Sequence, residues 1–159
     1  MMQAGALPKD EHGNTQLHLA AARGDVETAR QLLAAHPALI NAQSTRGATA
    51  LFLAAQAGNT EVVKLLVDAG TDVDIANEND ATPLFIAARE GHLEVVRLLL
   101  EAGADPTASN KNAVTPQDIA FRKDHTEVAA LINSYAQKKV YNRSDDVLKK
   151  ILKKGPKNG

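Results

Sequence analysis

The chain has 159 residues, of which 44% are hydrophobic and 23% are charged, a balance typical of one soluble globular domain. Cysteine and tryptophan are absent and aromatic residues make up 3%, which excludes disulfides and thiolate metal sites and leaves a core of small aliphatic side chains. Apolar runs are too short to cross a membrane, and residues 1–9 lack the apolar stretch of a signal peptide. We therefore expect a cytoplasmic protein, with the nucleus or delivery into a host cell as alternatives.

Charge is divided unevenly along the chain. Residues 1–136 carry 10 Lys and Arg against 17 Asp and Glu, a net charge of −7, whereas residues 137–159 carry 8 against 2, a net charge of +6. The body of the chain is therefore acidic and its end is basic, which bears on the partners that each part could bind.

Four related segments follow one another at a step of 33 or 34 residues. Each opens with a Thr and closes on Ala-Ala, or on Ala-Phe in the last, and they span residues 15–21, 49–55, 82–88 and 115–121. Such self-similarity predicts an array of structural repeats. The one extra residue falls within 36–39, where we expect a loop.

Each repeat is predicted to form a helix, a tight turn, a second helix and an extended turn. Thr49, Thr82 and Thr115 are expected to cap the first helices, and Pro follows two of them at the first helical position. Gly58 and Gly91 suit the turn between the helices. Because neither helix is long enough to be stable alone, neighbouring repeats must supply the core.

The first and last repeats differ from the middle two at core positions. Thr28 and Ala29 stand where the next repeats have Val-Val, and Gln117 and Asn133 replace apolar residues in the fourth repeat. Terminal repeats need a more polar outer face, so these changes favour an array that is capped at both ends. Mutational drift in a frayed repeat is the alternative.

The third repeat resembles an ankyrin repeat, because it reads Thr-Pro-Leu-Phe-Ile-Ala-Ala at 82–88, Gly-His-Leu-Glu-Val-Val-Arg-Leu-Leu-Leu at 91–100 and Gly-Ala-Asp at 103–105. The resemblance covers residues 10–136 and implies an all-α ankyrin-repeat solenoid of stacked helix-turn-helix units with extended turns. The repeats are expected at 10–43, 44–76, 77–109 and 110–136. An N-terminal extension, 1–9, precedes them and a basic tail, 137–159, follows.

Catalytic chemistry is not indicated by any motif. The five His residues show no helical pair with metal-ligand spacing, and neither a Gly-rich phosphate loop nor a nucleophile elbow is present. The ankyrin resemblance implies a structural position for His18 and local hydrogen bonding for His92 and His125. We expect a protein that is not an enzyme and that holds no cofactor and no metal.

The ankyrin resemblance also implies a concave binding face, formed by the tips of the extended turns and the exposed side of each first helix. A protein-interaction module is therefore expected, acting as a scaffold, adaptor or inhibitor, with no small-molecule substrate and as a monomer. The partner-binding residues expected from the register are Arg46, Phe52, Gln56, Asn79, Phe85, Arg89, Glu90, Asn112, Arg122 and Lys123.

Phe52 and Phe85 occupy the same register in adjacent repeats, one step after His18. Exposed side by side, they would form a small hot spot with apolar anchors and a polar rim. The alternative is that both rings fold inward against the layer of first helices.

The basic tail contains a short amphipathic pattern from Ser144 to Lys154, with Ser144 as its N-cap and Gly155-Pro156 as its stop. Three interpretations stay open. The helix could dock on the fourth repeat and cover its open end, or act as a mobile basic arm for an acidic partner or a membrane surface, or contact nucleic acid. Membrane or nucleic-acid contact would use residues 138–157.

Overall fold

The computed structural model describes residues 7–153, in which all regular elements are helical. The helices are α1 (Gln16–Arg23), α2 (Val26–Ala35), a 3-10 helix (Pro37–Leu39), α3 (Ala50–Ala57), α4 (Thr60–Asp68), α5 (Pro83–Glu90), α6 (Leu93–Glu101), α7 (Pro116–Arg122) and α8 (Thr126–Lys153). They form four stacked helix pairs, which confirms the expected all-α solenoid. The extra residue lies beside the 3-10 helix, between two repeats as expected.

The first helix of every repeat begins at a capping Thr. The backbone N–H groups of Phe52, Phe85 and Asp118 donate to the hydroxyl oxygens of Thr49, Thr82 and Thr115 at 3.1, 3.2 and 3.1 Å. Each bond satisfies a donor that the helix itself leaves free. The predicted caps are therefore confirmed.

Tight turns join the two helices of each repeat through a left-handed residue. Gly58 and Gly91 have φ angles of 73° and 76°, and a Cβ at either position would come within 2.8 Å of His92 or 2.5 Å of His125. Both the backbone conformation and the available space therefore require glycine. In the fourth repeat Asp124 adopts the same conformation, with φ 61°.

The core is a continuous double layer that crosses the repeat boundaries. In the first-helix layer, Leu17, Leu51 and Leu84 are fully buried, together with the Ala pairs that let α1, α3, α5 and α7 pack in sequence. In the second-helix layer, Val63 and Val96 are fully buried. Each large aliphatic side chain removed from water contributes about 1.5–3 kcal/mol, and the helices that bury these side chains pack both within repeats and across their boundaries.

The C-terminal helix differs from the prediction. Helix α8 is continuous over 28 residues from Thr126 to Lys153, and Ser144 lies exposed in its interior, so a separate short helix capped by Ser144 is wrong. Residues 134–143 contain neither Pro nor Gly, and nothing in them ends the second helix of the fourth repeat. The predicted stop at Gly155-Pro156 lies outside the described residues.

The structure also contradicts the interpretation in which the tail docks on the fourth repeat. The apolar side chains between residues 140 and 152 stay exposed, from Val147 at 52% to Leu152 at 77%. None of the helices within residues 7–153 is both long enough and apolar enough to cross a membrane.

Candidate protein-binding groove

A short polar side chain holds the tip of the extended turn in each repeat, with two hydrogen bonds in the first, third and fourth repeats and one in the second. In the third repeat, Asn77 Oδ1 accepts hydrogen bonds from the backbone N–H groups of Asn79 and Ala81 at 2.9 and 3.0 Å. In the first repeat, Asp10 Oδ1 accepts from the corresponding groups of His12 and Asn14. The hydrogen bonds from Asn14 hold the pKa of Asp10 below its ordinary value. A short polar side chain thus accepts hydrogen bonds from backbone N–H groups that have no partner in a helix or sheet.

One backbone hydrogen bond joins each tip to the next. Thr45 N donates to His12 O at 2.9 Å, Glu78 N to Arg46 O at 2.9 Å, and Lys111 N to Asn79 O at 3.0 Å. The row of tips is therefore a ladder with fixed spacing, and its side chains project from a backbone that is already ordered.

Imidazole side chains at the start of the second helix of one repeat contact the end of the first helix in the preceding repeat. Nε2 of His92 lies 3.0 Å from the carbonyl oxygen of Gln56, and Nε2 of His125 lies 3.1 Å from that of Arg89. The role expected for these residues was local hydrogen bonding, which is wrong, since both partners lie in the preceding repeat. The carbonyls at a helix C-terminus lack partners within their own helix, and a side chain from the next repeat supplies one.

His18 is fully buried at the start of α1. Its Nε2 lies 2.8 Å from the carbonyl oxygen of Ala48 in the second repeat, and its Nδ1 accepts from the backbone N–H of Thr15 at 3.0 Å. Because a carbonyl can only accept, Nε2 must carry the proton and Nδ1 must be free to accept. Burial lowers the pKa of His18 below its ordinary value, so the neutral form is the one that the fold holds.

An open groove of about 820 Å³ runs between the row of tips and the first helices. Seven of the ten predicted residues line it, namely Arg46, Phe52, Gln56, Asn79, Phe85, Arg89 and Asn112. Glu90 does not, and its carboxylate pairs with Arg89 at 2.9 Å. Arg122 and Lys123 lie exposed at the end of α7, beyond the lining residues.

Phe52 and Phe85 are each 6% exposed. The rings therefore belong to the first-helix layer and form the floor of the groove, as the inward-facing interpretation has it. Leu53 and Ile86 also line the groove and were not predicted. The sequence carried a signal for them, because Leu19, Leu53 and Ile86 place an apolar residue at the same register in three successive repeats.

The polar lining of the groove is basic and rich in amides. Arg46 and Lys111 reach it from the tips, and no carboxylate lies in ion-pair contact with either among the described residues. Glu78 is the acidic side chain of the lining, and the remaining polar groups include Gln56 and several Asn side chains. This local charge is opposite in sign to the net −7 of residues 1–136.

Carboxylates collect instead at the loops between repeats, away from the groove. Burial raises the pKa of Asp74, and the charges of Asp105 and Asp72 act in the same direction. Burial alone would also raise the pKa of Asp105, but hydrogen bonds from Thr107 and Lys139 hold it below its ordinary value. Within residues 7–153, no group of three or more His, Cys, Asp or Glu side chains could hold a metal ion.

Stacked helix pairs with a ladder of ordered tips beside an open groove define a helical solenoid of repeats. The family model for ankyrin repeats, in three copies, matches residues 17–110 and 74–145, and the chain belongs to the ankyrin-repeat family. Repeats of this family generally mediate protein–protein interactions.

Several named proteins share part of this sequence. The chain is 40% identical over 65 residues to NAD-capped RNA hydrolase NUDT12 of Homo sapiens, which is 41% of this chain and 14% of that protein. It is 38% identical over 77 residues to the nuclear factor NF-kappa-B p105 subunit of Gallus gallus, covering 46% of this chain and 8% of that one. It is 41% identical over 64 residues to 26S proteasome non-ATPase regulatory subunit 10 of Dictyostelium discoideum, covering 40% and 28%.

The chain therefore spans between 8% and 28% of the length of these three relatives. The similarity is confined to a small part of each relative, and the hydrolase activity in the name of the first is a property of that protein.

Proposed function

We propose that this chain binds another protein through the groove and works as a scaffold, adaptor or inhibitor rather than as an enzyme. The observation that carries the proposal is the open groove of about 820 Å³, whose walls come from four successive tips and two first helices. A surface composed of several repeats can contact an extended segment of a partner over most of its length.

Rigidity of the groove supports this proposal. Each tip is held by side-chain hydrogen bonds within its own repeat and by a backbone bond to the next tip, such as Glu78 N to Arg46 O at 2.9 Å. A binding surface that is ordered before the partner arrives loses less conformational entropy on association.

The groove chemistry favours an acidic, extended partner segment. Arg46 and Lys111 present cationic groups without ion-pair partners among the described residues, and Gln56 and Asn79 can donate to and accept from a peptide backbone. We assign Phe52 and Phe85 to the floor, where they keep the apolar surface flat, and Leu53 to direct apolar contact with the partner.

A charge-reversal comparison tests the proposal. Affinity capture with mass spectrometry is carried out with the natural chain, with Arg46→Glu/Lys111→Glu, and with Arg30→Glu/Lys64→Glu, which makes the same charge change on exposed sites of α2 and α4 outside the groove. We expect partners to be lost with the first double variant and retained with the second, while circular dichroism shows equal helix content in all three. Equal capture by both variants would contradict binding in the groove.

A further inference from the structure

The last part of α8 leaves the repeats while the helix continues. Val128, Ala129 and Ile132 are buried against the stack, and Lys139 makes an ion pair with Asp105 at 3.1 Å. From Val140 to Lys153 every residue is exposed except the half-buried Asp145. At 1.5 Å per residue, this segment is about 20 Å long.

One face of this segment is apolar, and we call it the apolar stripe. Its six members are each more than half exposed: Val140 at 65%, Tyr141 at 73%, Val147 at 52%, Leu148 at 55%, Ile151 at 62% and Leu152 at 77%. At 100° per residue they fall within an arc of about 140°, with Ser144 inside it. This is the pattern of an amphipathic helix whose apolar side has no partner within the described chain.

The centre of the apolar stripe does not point towards the stacked helices. At its first turn, Val140, Tyr141 and Ser144 line a shallow depression together with Thr107 of the loop after α6. Around the helix axis, its centre lies about 120° from the centre of the buried face formed by Val128, Ala129 and Ile132. In a straight helix the angle between the apolar stripe and the buried face is fixed, so both cannot face the repeats at once. The stripe could therefore reach the fourth repeat only if α8 were bent or unwound.

The rest of the helix surface is basic. Residues 138–153 hold six Lys and Arg against two Asp, and all six cations lie outside the arc of the apolar stripe. At one edge of the stripe Asp145 lies nearest, paired with Lys149 at 3.4 Å, and Lys138 lies beside them. At the other edge, Arg143 and Lys150 border the stripe. Long cationic side chains at both borders can keep their charges in a polar layer while the stripe is buried.

We propose that residues 138–153 bind in the plane of an anionic lipid surface, with the apolar stripe at the level of the acyl chains and the Lys and Arg side chains among the headgroups. An apolar arc this wide, with cations opposite and at its borders, fits that environment. The acidic repeats, at −7 for residues 1–136, are repelled by the same surface, so only the helix should lie on it. This inference is independent of the groove.

The charge and length of residues 138–153 disfavour two other partners, a second copy of the chain and nucleic acid. A second copy of the chain would place two basic helices side by side, and the core positions of a helix pair would cover only about two heptads, with Ser144 at one of them. Nucleic acid would neutralise the lysines but leave the six apolar side chains uncovered. A lipid surface satisfies both faces at once.

The full chain is tested by co-sedimentation with vesicles of phosphatidylcholine alone and of phosphatidylcholine mixed with phosphatidylserine. We expect binding to the mixed vesicles only. Leu148→Asp/Ile151→Asp and Lys149→Glu/Lys150→Glu should each weaken it at least about tenfold, while the control Arg30→Glu/Lys64→Glu should bind like the natural chain. Because residues 148–151 are exposed on the part of α8 beyond Lys139, the two α8 variants should melt at the temperature of the natural chain.

Insertion of the apolar stripe into the lipid surface can be measured separately. A Tyr141→Trp variant should show blue-shifted fluorescence emission with the mixed vesicles. Three results would each overturn the proposal. The first is no sedimentation of the natural chain with phosphatidylserine. The second is a dimer in light scattering that Leu148→Asp/Ile151→Asp converts to a monomer. The third is binding to a DNA duplex that is unchanged in that same variant.

Discussion

The middle repeats and the fourth repeat use one backbone plan with different side chains at the same register. Ala55 and Ala88 are fully buried by the next first helix, whereas Phe121 at the equivalent position is 72% exposed. Phe85 closes the floor of the groove in the third repeat, and Asp118 takes its place in the fourth, where its carboxylate accepts from the backbone N–H of Thr115. Inner repeats are thus stabilised by their neighbours, and the terminal one relies more on its own local bonds.

The largest effect is expected from truncating the floor of the groove. Phe85→Ala should lower the free energy of unfolding by about 3–5 kcal/mol, because a buried ring is removed from a closely packed layer. Asp118→Ala at the same register should cost only about 1 kcal/mol, the value of a cap. Urea unfolding followed by circular dichroism measures both, and equal losses would contradict the contrast between inner and terminal repeats.

Glycine in the interhelical turn gives the next contrast. Gly91→Ala should cost about 1–3 kcal/mol, since the new Cβ would meet His125 at 2.5 Å and φ is 76°. Gly70→Ala is the control for conformation alone, because its φ is 89° and nothing lies within 4 Å.

In the fourth repeat, introducing glycine at the interhelical turn should raise the stability of the chain. Asp124 has φ 61°, so Asp124→Gly should stabilise the chain by between zero and about 1 kcal/mol, the relief of strain being partly offset by the greater freedom of glycine when unfolded. Thermal unfolding of the three glycine-site variants checks both expectations. A clear loss of stability in Asp124→Gly would show that the Asp side chain has a role of its own.

Acid should weaken the first repeat through His18. The pKa of His18 is lower in the folded chain than in the unfolded chain, so the unfolded state takes up the proton first. The contribution of neutral His18 to the free energy of unfolding is fully present above the ordinary pKa of about 6.5. It is lost as the pH falls through the pKa of the folded chain, by at most about 1.4 kcal/mol per pH unit.

Urea unfolding between neutral pH and mildly acidic pH measures this loss, and NMR titration of the imidazole gives the folded pKa directly. In His18→Gln the slope of stability against pH should be shallower over the same range. A folded pKa of His18 at or above 6.5 would contradict the prediction.

The smallest effect on stability is expected at Lys139, where α8 leaves the repeats. Lys139→Ala removes the ion pair with Asp105, whose side chains are 46% and 37% exposed, and should cost no more than about 1 kcal/mol. Lys138→Ala, which removes a cation that lies 5.2 Å from the Tyr135 ring centre, is the neighbouring control. Hydrogen exchange of residues 126–139 would show whether the ion pair holds this part of the helix.

Repeat step, helix order and caps could be read from the sequence because each depends on residues close together in the chain. Thr82 and Phe85 are three residues apart, and their hydrogen bond forms within one turn. The groove could be placed only in part. Arg46 and Asn79 follow from the register, but the burial of Phe52 depends on how closely adjacent first helices pack.

The sequence by itself determined that this chain is a stack of two-helix repeats, since the step of 33 or 34 residues is visible in it and the capping Thr residues and turn glycines act locally. Only the tertiary structure decided which surfaces remain for partners. The bonds from His92 and His125 join different repeats, and the direction of the apolar stripe depends on α8 continuing through Ser144 without a break. Such features arise from packing between elements distant in the chain, or from the absence of a stop signal, and local patterns record neither.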